Sequence, residues 1–145
     1  MRTDILEAKK ARFVMEFINP PELGDSSKYG YTQVVVVPSG SSLAYIAGQT
    51  GADESGNYGN FNEQLEQAFV NLDKALQVIG AKREDVVKIT ILSVDHNQEK
   101  LGLISAKRKS FWSNHKPAST LIPVPRLASD EMLFEIDAVA VVGNS

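Results

Sequence analysis

The segment KPASTLIPVPRLASDEMLFEIDAVAVV, residues 116–142, decides the fold because two apolar runs flank a proline-bearing loop. The runs at about residues 119–124 and 132–142 predict two β-strands. Side chains alternate along a strand, so the second run has one wholly apolar face and one face that carries Glu135 and Asp137. We expect the apolar face to pack on helices, which leaves the two acids on the opposite face of the sheet.

The remainder of the chain predicts further strands and two helices. β-Branched or apolar runs between turn residues predict the strands, and apolar residues at spacings of three and four predict the helices. Asn60 and Glu63 are placed for a capping box at the start of the first helix, and Gly80 is placed for its end. The predicted elements are strands at about residues 12–18, 31–38, 43–50 and 85–94 and helices at about residues 61–79 and 99–112.

In chain order these elements read β-β-β-α-β-α-β-β, with a hairpin expected between the second and third strands. This pattern predicts a single α+β domain over residues 1–145, in which both helices cover one face of a mixed sheet. The strand segments VVVV and AVAVV are apolar on both sides, and such strands need cover on both faces. We therefore expect the second face to be buried against other copies of the chain in a closed oligomer.

The composition narrows the function classes. The chain has 145 residues and no cysteine, which excludes disulfides, thiol nucleophiles and cysteine-ligated metals. His96 and His115 lack metal-binding spacing and no dinucleotide or P-loop fingerprint is present, so neither a metal nor a cofactor is expected. No apolar run is long enough for a membrane span, and the N-terminus lacks the apolar region of a secretory signal. A cytoplasmic protein without a membrane partner is expected.

The charge pattern argues against a nucleic-acid partner. The net charge is -3 and the pI is about 5.4, and the basic residues are dispersed along the chain. The densest basic group consists of Lys107, Arg108 and Lys109. We interpret it as the solvated face of the second helix rather than as a phosphate-binding patch. A nucleic-acid partner is therefore not expected.

Several residues are candidates for a site, each with a plainer alternative. Glu135 and Asp137 lie with their Cβ atoms about 7 Å apart on one strand face. An acid in a partly buried cleft serves as a general acid or base, whereas an exposed pair forms edge charges or intersubunit salt bridges. Gly48 either lets a backbone N–H approach a ligand or ends a strand in a turn. Tyr31 is either a cleft wall or an amphipathic strand end. The residues alone leave these alternatives open.

The order and spacing of these segments resemble the RidA/YjgF family, also called the liver perchloric-acid-soluble protein (L-PSP) family. The resemblance covers about residues 31–142. It implies a trimer of chorismate-mutase-like subunits, with an inner barrel of sheets, helices outside and ligand clefts at the subunit interfaces. The segments that carry it are YTQVVVV, YIAGQTG, QLEQAFVNLDKALQVIGA, DVVKITILSVD, PASTL and LFEIDAVAVV.

The resemblance also assigns roles to residues. The best-known branch hydrolyses 2-imino and 2-enamino acids to 2-oxo acids and ammonia, with a glutamate that positions water, here Glu135. A tyrosine and the backbone of a Ser-Gly-Gln segment complete the cleft. In this chain the tyrosine is Tyr31, and the segment begins at Ala47 and Gly48, so its serine is replaced.

The resemblance breaks at the residue that binds the substrate carboxylate. That residue is an arginine in the best-known branch and Ser119 here, and the cysteine two residues later is Leu121. A serine hydroxyl offers one neutral hydrogen bond where a guanidinium offers two charged ones. The chain thus resembles an arginine-less branch of the family. Arg126, in the loop between the last two strands, is expected to be structural.

Three functions follow from the resemblance. The first is hydrolysis of a reactive imine or enamine, with Glu135 activating water in the cleft of a homotrimer. The second is a non-catalytic binder or sensor of a small neutral or weakly polar metabolite, which suits Ser119, Leu121 and Ala47. The third is endoribonuclease activity or translation inhibition, which the acidic pI and the absence of a histidine pair disfavour.

Overall fold

The structure, a computed structural model, describes residues 14–143. The beginning of the first predicted strand lies outside the described residues. The elements are strands β1 (Glu16–Ile18), β2 (Val34–Val36) and β3 (Ser42–Thr50), helix α1 (Phe61–Val78), strand β4 (Val86–Val94), helix α2 (Gln98–Phe111), and strands β5 (Ala118–Val124) and β6 (Phe134–Val142). No helix among these residues is long and apolar enough to cross a membrane.

The main sheet is mixed and has the strand order β3-β6-β4-β5. Strand β6 pairs antiparallel with β3 and β4, and β4 pairs parallel with β5. The expected hairpin between β2 and β3 is wrong, because β2 pairs with β1 in a separate two-stranded sheet. Strand β6 offers β3 a partner as long as itself, whereas β2 has only three residues, so pairing with β6 satisfies more backbone groups. The two helices and the mixed sheet confirm the α+β class.

Helix α1 begins and ends where the sequence predicts. The backbone N–H of Glu63 donates to Asn60 Oδ1 at 2.9 Å, and the backbone N–H of Asn60 donates to Glu63 Oε1 at 3.1 Å, which completes the capping box. At the other end Gly80 has φ of +68°, a left-handed conformation that glycine adopts without a steric penalty. The backbone N–H of Ala81 then donates to the carbonyl of Leu76 at 2.9 Å, and this turn ends the helix.

The hydrophobic core lies between the two helices and one face of the main sheet. Strand β6 contributes Phe134, Ile136, Ala138 and Ala140, all buried, which confirms the predicted apolar face. The alternation of buried and exposed residues fails near the end of β6, beyond the register shift opposite Val86–Lys88. There the successive residues Ala140 and Val141 are both buried. The helices contribute chiefly Leu65, Phe69, Leu72, Leu76, Ile104 and Phe111.

The second face of the main sheet is not covered by the described part of the chain. Register places Tyr45 beside Val139 and Ile122 beside Leu92 on this face. The side chain of Tyr45 is 79% exposed and that of Ile122 is 43% exposed. Asp137, on the same face, is also exposed. The helices therefore complete only one side of the sheet, as the sequence predicts.

Candidate functional site

A cavity of about 240 Å³ lies at the edge of the main sheet, between β5, helix α2 and the segment before β2. It brings together Tyr31, Ser119 and Leu121, three of the residues that the sequence assigns to a site. The remaining lining residues are Tyr29, Leu101 and Arg108. The cavity is thus built largely of apolar and aromatic side chains with a few polar groups, as is typical of small-molecule sites.

The segment before β2 is held against β5 by its backbone. The backbone N–H of Thr32 donates to the carbonyl of Pro117 at 3.0 Å, and the Thr32 hydroxyl donates to the carbonyl of Lys116. These bonds fix Tyr31 beside the start of β5. Gly30, which precedes it, has φ of +78°, and a Cβ there would lie 3.0 Å from the Cβ of Arg108. Glycine at this position therefore allows the segment to approach helix α2 closely.

Arg108 is buried, with 2% of its surface exposed. Its Nη1 donates to Ser119 Oγ at 2.9 Å, its guanidinium carbon lies 5.5 Å from the centre of the Tyr31 ring, and its Nε has no hydrogen-bond partner. The interpretation of this basic group as a solvated helix face is wrong for Arg108. The residue shares a face with Ile104 and Phe111, both buried, and this spacing of four and three is the signal that reveals its position.

The neighbouring lysines are placed differently from Arg108. Lys107 is partly buried, with its Nζ 2.6 Å from a carboxylate oxygen of Glu66 and 5.6 Å from the Phe69 ring centre. Lys109 is exposed. Three consecutive basic residues thus have three environments, because successive residues on a helix point in directions about 100° apart.

Burial lowers the pKa of Arg108 to about 10, and the neighbouring Tyr31 hydroxyl partly opposes this shift. The guanidinium is therefore still a cation at neutral pH. No carboxylate of residues 14–143 lies within ion-pair distance of it. The cavity consequently contains a positive charge that no acid of the described chain balances.

Glu135 and Gly48 form a second group on the opposite face of the sheet. Strand β3 has a register shift between Ile46 and Gln49, and Gly48 lies in this bulge. A Cβ on Gly48 would lie 2.5 Å from Glu135 Oε1, so the half-buried carboxylate packs directly on the glycine. Gly48 is therefore needed for a close approach inside a strand and does not end the strand in a turn. Ala47 is exposed in the same bulge, and its carbonyl accepts a bond from the Gln49 side chain.

Within one chain these two groups do not meet. Ser119 is paired with Ile89 and Glu135 with Leu92 on the same central strand, and residues an odd number of positions apart on a strand point to opposite faces. Glu135 is accordingly absent from the lining of the Tyr31 cavity. The residues that the sequence assigns to one site are divided between the two faces of the sheet.

The other candidate residues have structural roles in the chain. Asp137 accepts a hydrogen bond from the backbone N–H of Thr90 at 3.1 Å. Arg126 pairs with Asp130 at 2.7 Å in an exposed loop. Neither residue lines the Tyr31 cavity. Among residues 14–143 there is also no group of three His, Cys, Asp or Glu side chains that could hold a metal ion.

Comparison with known proteins identifies the family. Residues 26–142 match the family described as Endoribonuclease L-PSP. The chain therefore belongs to this family, which is the RidA/YjgF family that the sequence resembles.

The chain is similar to curated proteins over most of their length. A 2-iminobutanoate/2-iminopropanoate deaminase of Rattus norvegicus is 32% identical over 116 residues, which are 78% of this chain and 80% of that protein. A RutC family protein of Pyrococcus abyssi is 30% identical over 113 residues, which are 76% of this chain and 84% of that protein.

Solved structures share the fold. A Rid-family protein of unknown function from Yersinia pestis matches with a TM-score of 0.83 at 32% identity, covering 88% of this chain and 98% of the other. A putative endoribonuclease from Thermotoga maritima matches with a TM-score of 0.62 at 26% identity, covering 87% of this chain and 96% of the other. The described fold is therefore that of the Rid proteins.

Proposed function

We propose that the protein hydrolyses reactive imines or enamines, with Glu135 positioning and deprotonating the attacking water. The observation that carries the proposal is the Glu135 carboxylate, half-buried and packed on Gly48. The relatives named 2-iminobutanoate/2-iminopropanoate deaminase support the reaction class. The reaction proceeds without a metal or cofactor and takes place in the cytoplasm.

The proposed chemistry needs one carboxylate and one water. The carboxylate of Glu135 accepts a proton while the water oxygen bonds to the imine carbon, and the C=N double bond becomes single. The proton then passes from Glu135 to the nitrogen. As the tetrahedral carbinolamine collapses, its hydroxyl proton passes by way of Glu135 to the amino nitrogen, the C–N bond breaks and a C=O bond forms. One water is thus consumed and one ammonia is released. An enamine enters the same sequence after protonation at carbon.

We propose further that the active unit is a homotrimer, because a single chain separates the two halves of the site. Three copies associated through the open sheet faces would bury Tyr45 and Ile122, which a single chain leaves exposed. Each intersubunit cleft would combine Glu135, Gly48 and Ala47 of one subunit with Tyr31, Ser119 and Leu121 of its neighbour.

The test is ammonia release from 2-iminobutanoate generated in the assay by an amino-acid oxidase. Glu135→Gln keeps the size of the side chain and removes the base, so we expect the rate to fall by roughly 10²- to 10⁴-fold. Gly48→Ala places a methyl group where the carboxylate lies and should displace it, with a similar direction of effect. Unchanged ammonia release by Glu135→Gln would refute the role of this residue.

A second candidate, a non-catalytic metabolite binder, is favoured by one observation. The Tyr31 cavity does not contain Glu135, so a ligand there need not meet a catalytic base. A ligand-dependent rise in melting temperature without ammonia release would support this function, and turnover would count against it.

Endoribonuclease activity is the least favoured function because the chain is acidic. RNA cleavage that survives high-salt purification and is abolished by a cleft mutation would support it.

A further inference from the structure

The guanidinium of Arg108 has more hydrogen-bond donors than partners. An arginine side chain carries five N–H donors and no acceptor. One donor is used by Ser119 Oγ at 2.9 Å, and Ser105 Oγ lies at 3.5 Å from Nη2, too far for a strong bond. The Nε donor is buried and has no partner. Two serine hydroxyls therefore replace only part of the hydration that this cation loses on burial.

Burial of an unbalanced cation is costly, and chains rarely bury arginine unless it is paired. The lowered pKa of Arg108 has the same physical origin, because the surroundings disfavour the charged form. An anion bound in the cavity that Arg108 lines would supply the missing negative charge and further acceptors for the guanidinium. A carboxylate matches the planar fork of a guanidinium with two parallel hydrogen bonds.

The cavity beside Arg108 limits the size and character of such an anion. Its volume is about 240 Å³, which suits a molecule of a few non-hydrogen atoms. Its other walls are Tyr29, Tyr31, Leu101 and Leu121, which favour a short apolar chain next to the charged group. A small carboxylic acid fits both requirements, whereas a dicarboxylate would place a second charge against apolar walls.

We propose that Arg108, from helix α2, is the anion anchor of the site and binds the carboxylate of a small aliphatic 2-oxo or 2-imino acid. Ser119 is a positioning residue, whose hydroxyl holds the guanidinium toward the cavity. This replaces the expectation that Ser119 contacts a neutral ligand directly. The inference deepens the proposed function by naming the residue that anchors its substrate, and it rests on that function only for the reaction, because binding is measurable without turnover.

The direct experiment is isothermal titration calorimetry of the purified full chain with two matched probes. One is 2-oxobutanoate; the other is 2-oxobutanamide, in which a neutral carboxamide replaces the carboxylate. Arg108→Met should weaken 2-oxobutanoate binding by about 10- to 100-fold, from the loss of charged hydrogen bonds. Binding of the amide should change much less. The control Lys109→Met removes the same charge from the next, exposed residue and should alter neither affinity.

Ser119 variants separate positioning from mere packing. Ser119→Ala should weaken 2-oxobutanoate binding by less than Arg108→Met does and leave 2-oxobutanamide binding nearly unchanged. Ser119→Thr retains a hydroxyl and should recover most of the lost affinity. A loss for both probes in Ser119→Ala would mean that the residue only shapes the cavity, and would contradict the positioning role.

A second variant and the ammonia assay distinguish a loss of binding from a folding defect and from a loss of catalysis. Should Arg108→Met fail to fold, Arg108→Lys retains the charge but not the planar fork, and should weaken carboxylate binding by less than the methionine does. Equal affinities of the wild type for both probes, or no 2-oxobutanoate binding at all, would overturn the proposal. Carboxylate-selective binding without ammonia release would refute the proposed reaction but support Arg108 as the anion anchor. Ammonia release with unselective binding would support the reaction and refute the role of Arg108.

Discussion

Two polar side chains buried under the helical layer, Gln64 on α1 and Arg108 on α2, differ in how completely they are hydrogen-bonded. Gln64 Nε2 donates to the carbonyls of Gly59 and Glu131, both at 2.9 Å, and its Oε1 accepts from the backbone N–H of Leu133 at 2.8 Å. Arg108 has an unpartnered Nε and no acid of residues 14–143 beside it.

The difference separates a structural role from a binding role. A buried polar group whose bonds are satisfied by its own chain fixes one arrangement of loops and strands, as Gln64 does for the segment that enters β6. A buried group left partly unsatisfied destabilises the chain until a ligand completes it. The two residues should therefore respond in opposite ways to replacement by an apolar side chain of similar size.

The largest expected effect on stability is that of Gln64→Leu. This change leaves two carbonyls and one backbone N–H without partners, and we expect the free energy of unfolding to fall by about 3 kcal/mol. Urea denaturation measures it. Gln67→Leu, on the same helix but with a single side-chain bond to Asn71, is the control and should cost less than about 1 kcal/mol. Equal losses of unfolding free energy in the two variants would contradict the structural role of Gln64.

Arg108→Met should have a smaller effect of opposite sign. It removes an unbalanced buried cation and fills the same space with an apolar chain, so the free energy of unfolding without ligand should rise by about 1 kcal/mol. Urea denaturation of the wild type and the variant in a buffer without carboxylate tests this. A drop of about 3 kcal/mol, as for Gln64→Leu, would identify Arg108 as a structural residue.

The pH dependence gives the smallest effect. Burial holds the pKa of Arg108 at about 10 in the folded chain, below its ordinary value, so above pH 10 the unfolded chain binds more protons than the folded chain. The destabilisation that Arg108 causes is thus fully present below pH 10 and declines as the pH rises through the folded pKa. The stability difference between Arg108→Met and the wild type should shrink above pH 10, and 2-oxobutanoate binding should weaken there. A difference independent of pH would contradict the lowered pKa.

The sequence predicts the local features of the fold, such as helix ends and buried faces, but it does not predict which distant strands pair. The caps of α1 and the buried face of β6 follow from spacings within a few residues, and both are confirmed. The partner of β3 depends on a strand more than 80 residues away, and a hairpin with the nearer β2 was the wrong prediction. Pairing across that distance reflects the whole sheet, which no short window of sequence contains.

The candidate site shows the same division. Tyr31, Ser119 and Leu121 were predicted together from a resemblance, and they do line one cavity. The sequence does not predict the burial of Arg108, because a run of basic residues usually marks a solvated helix face. Its spacing from the buried residues Ile104 and Phe111 is the opposing signal, and it is weaker than the signal from charge. The contact of Gly48 with Glu135 joins two strands, and the sequence alone left it open as a turn.

The proposal that each active site is shared between subunits has one direct test, complementation between two variants that are impaired in different residues of the site. Glu135→Gln and Arg108→Met are mixed in equal amounts, unfolded together and refolded, and ammonia release from 2-iminobutanoate is measured. If the carboxylate and the guanidinium of one cleft come from neighbouring subunits of a trimer, random assembly should restore about a quarter of the wild-type activity per site. Activity no greater than the mean of the two separately refolded variants would contradict a shared site.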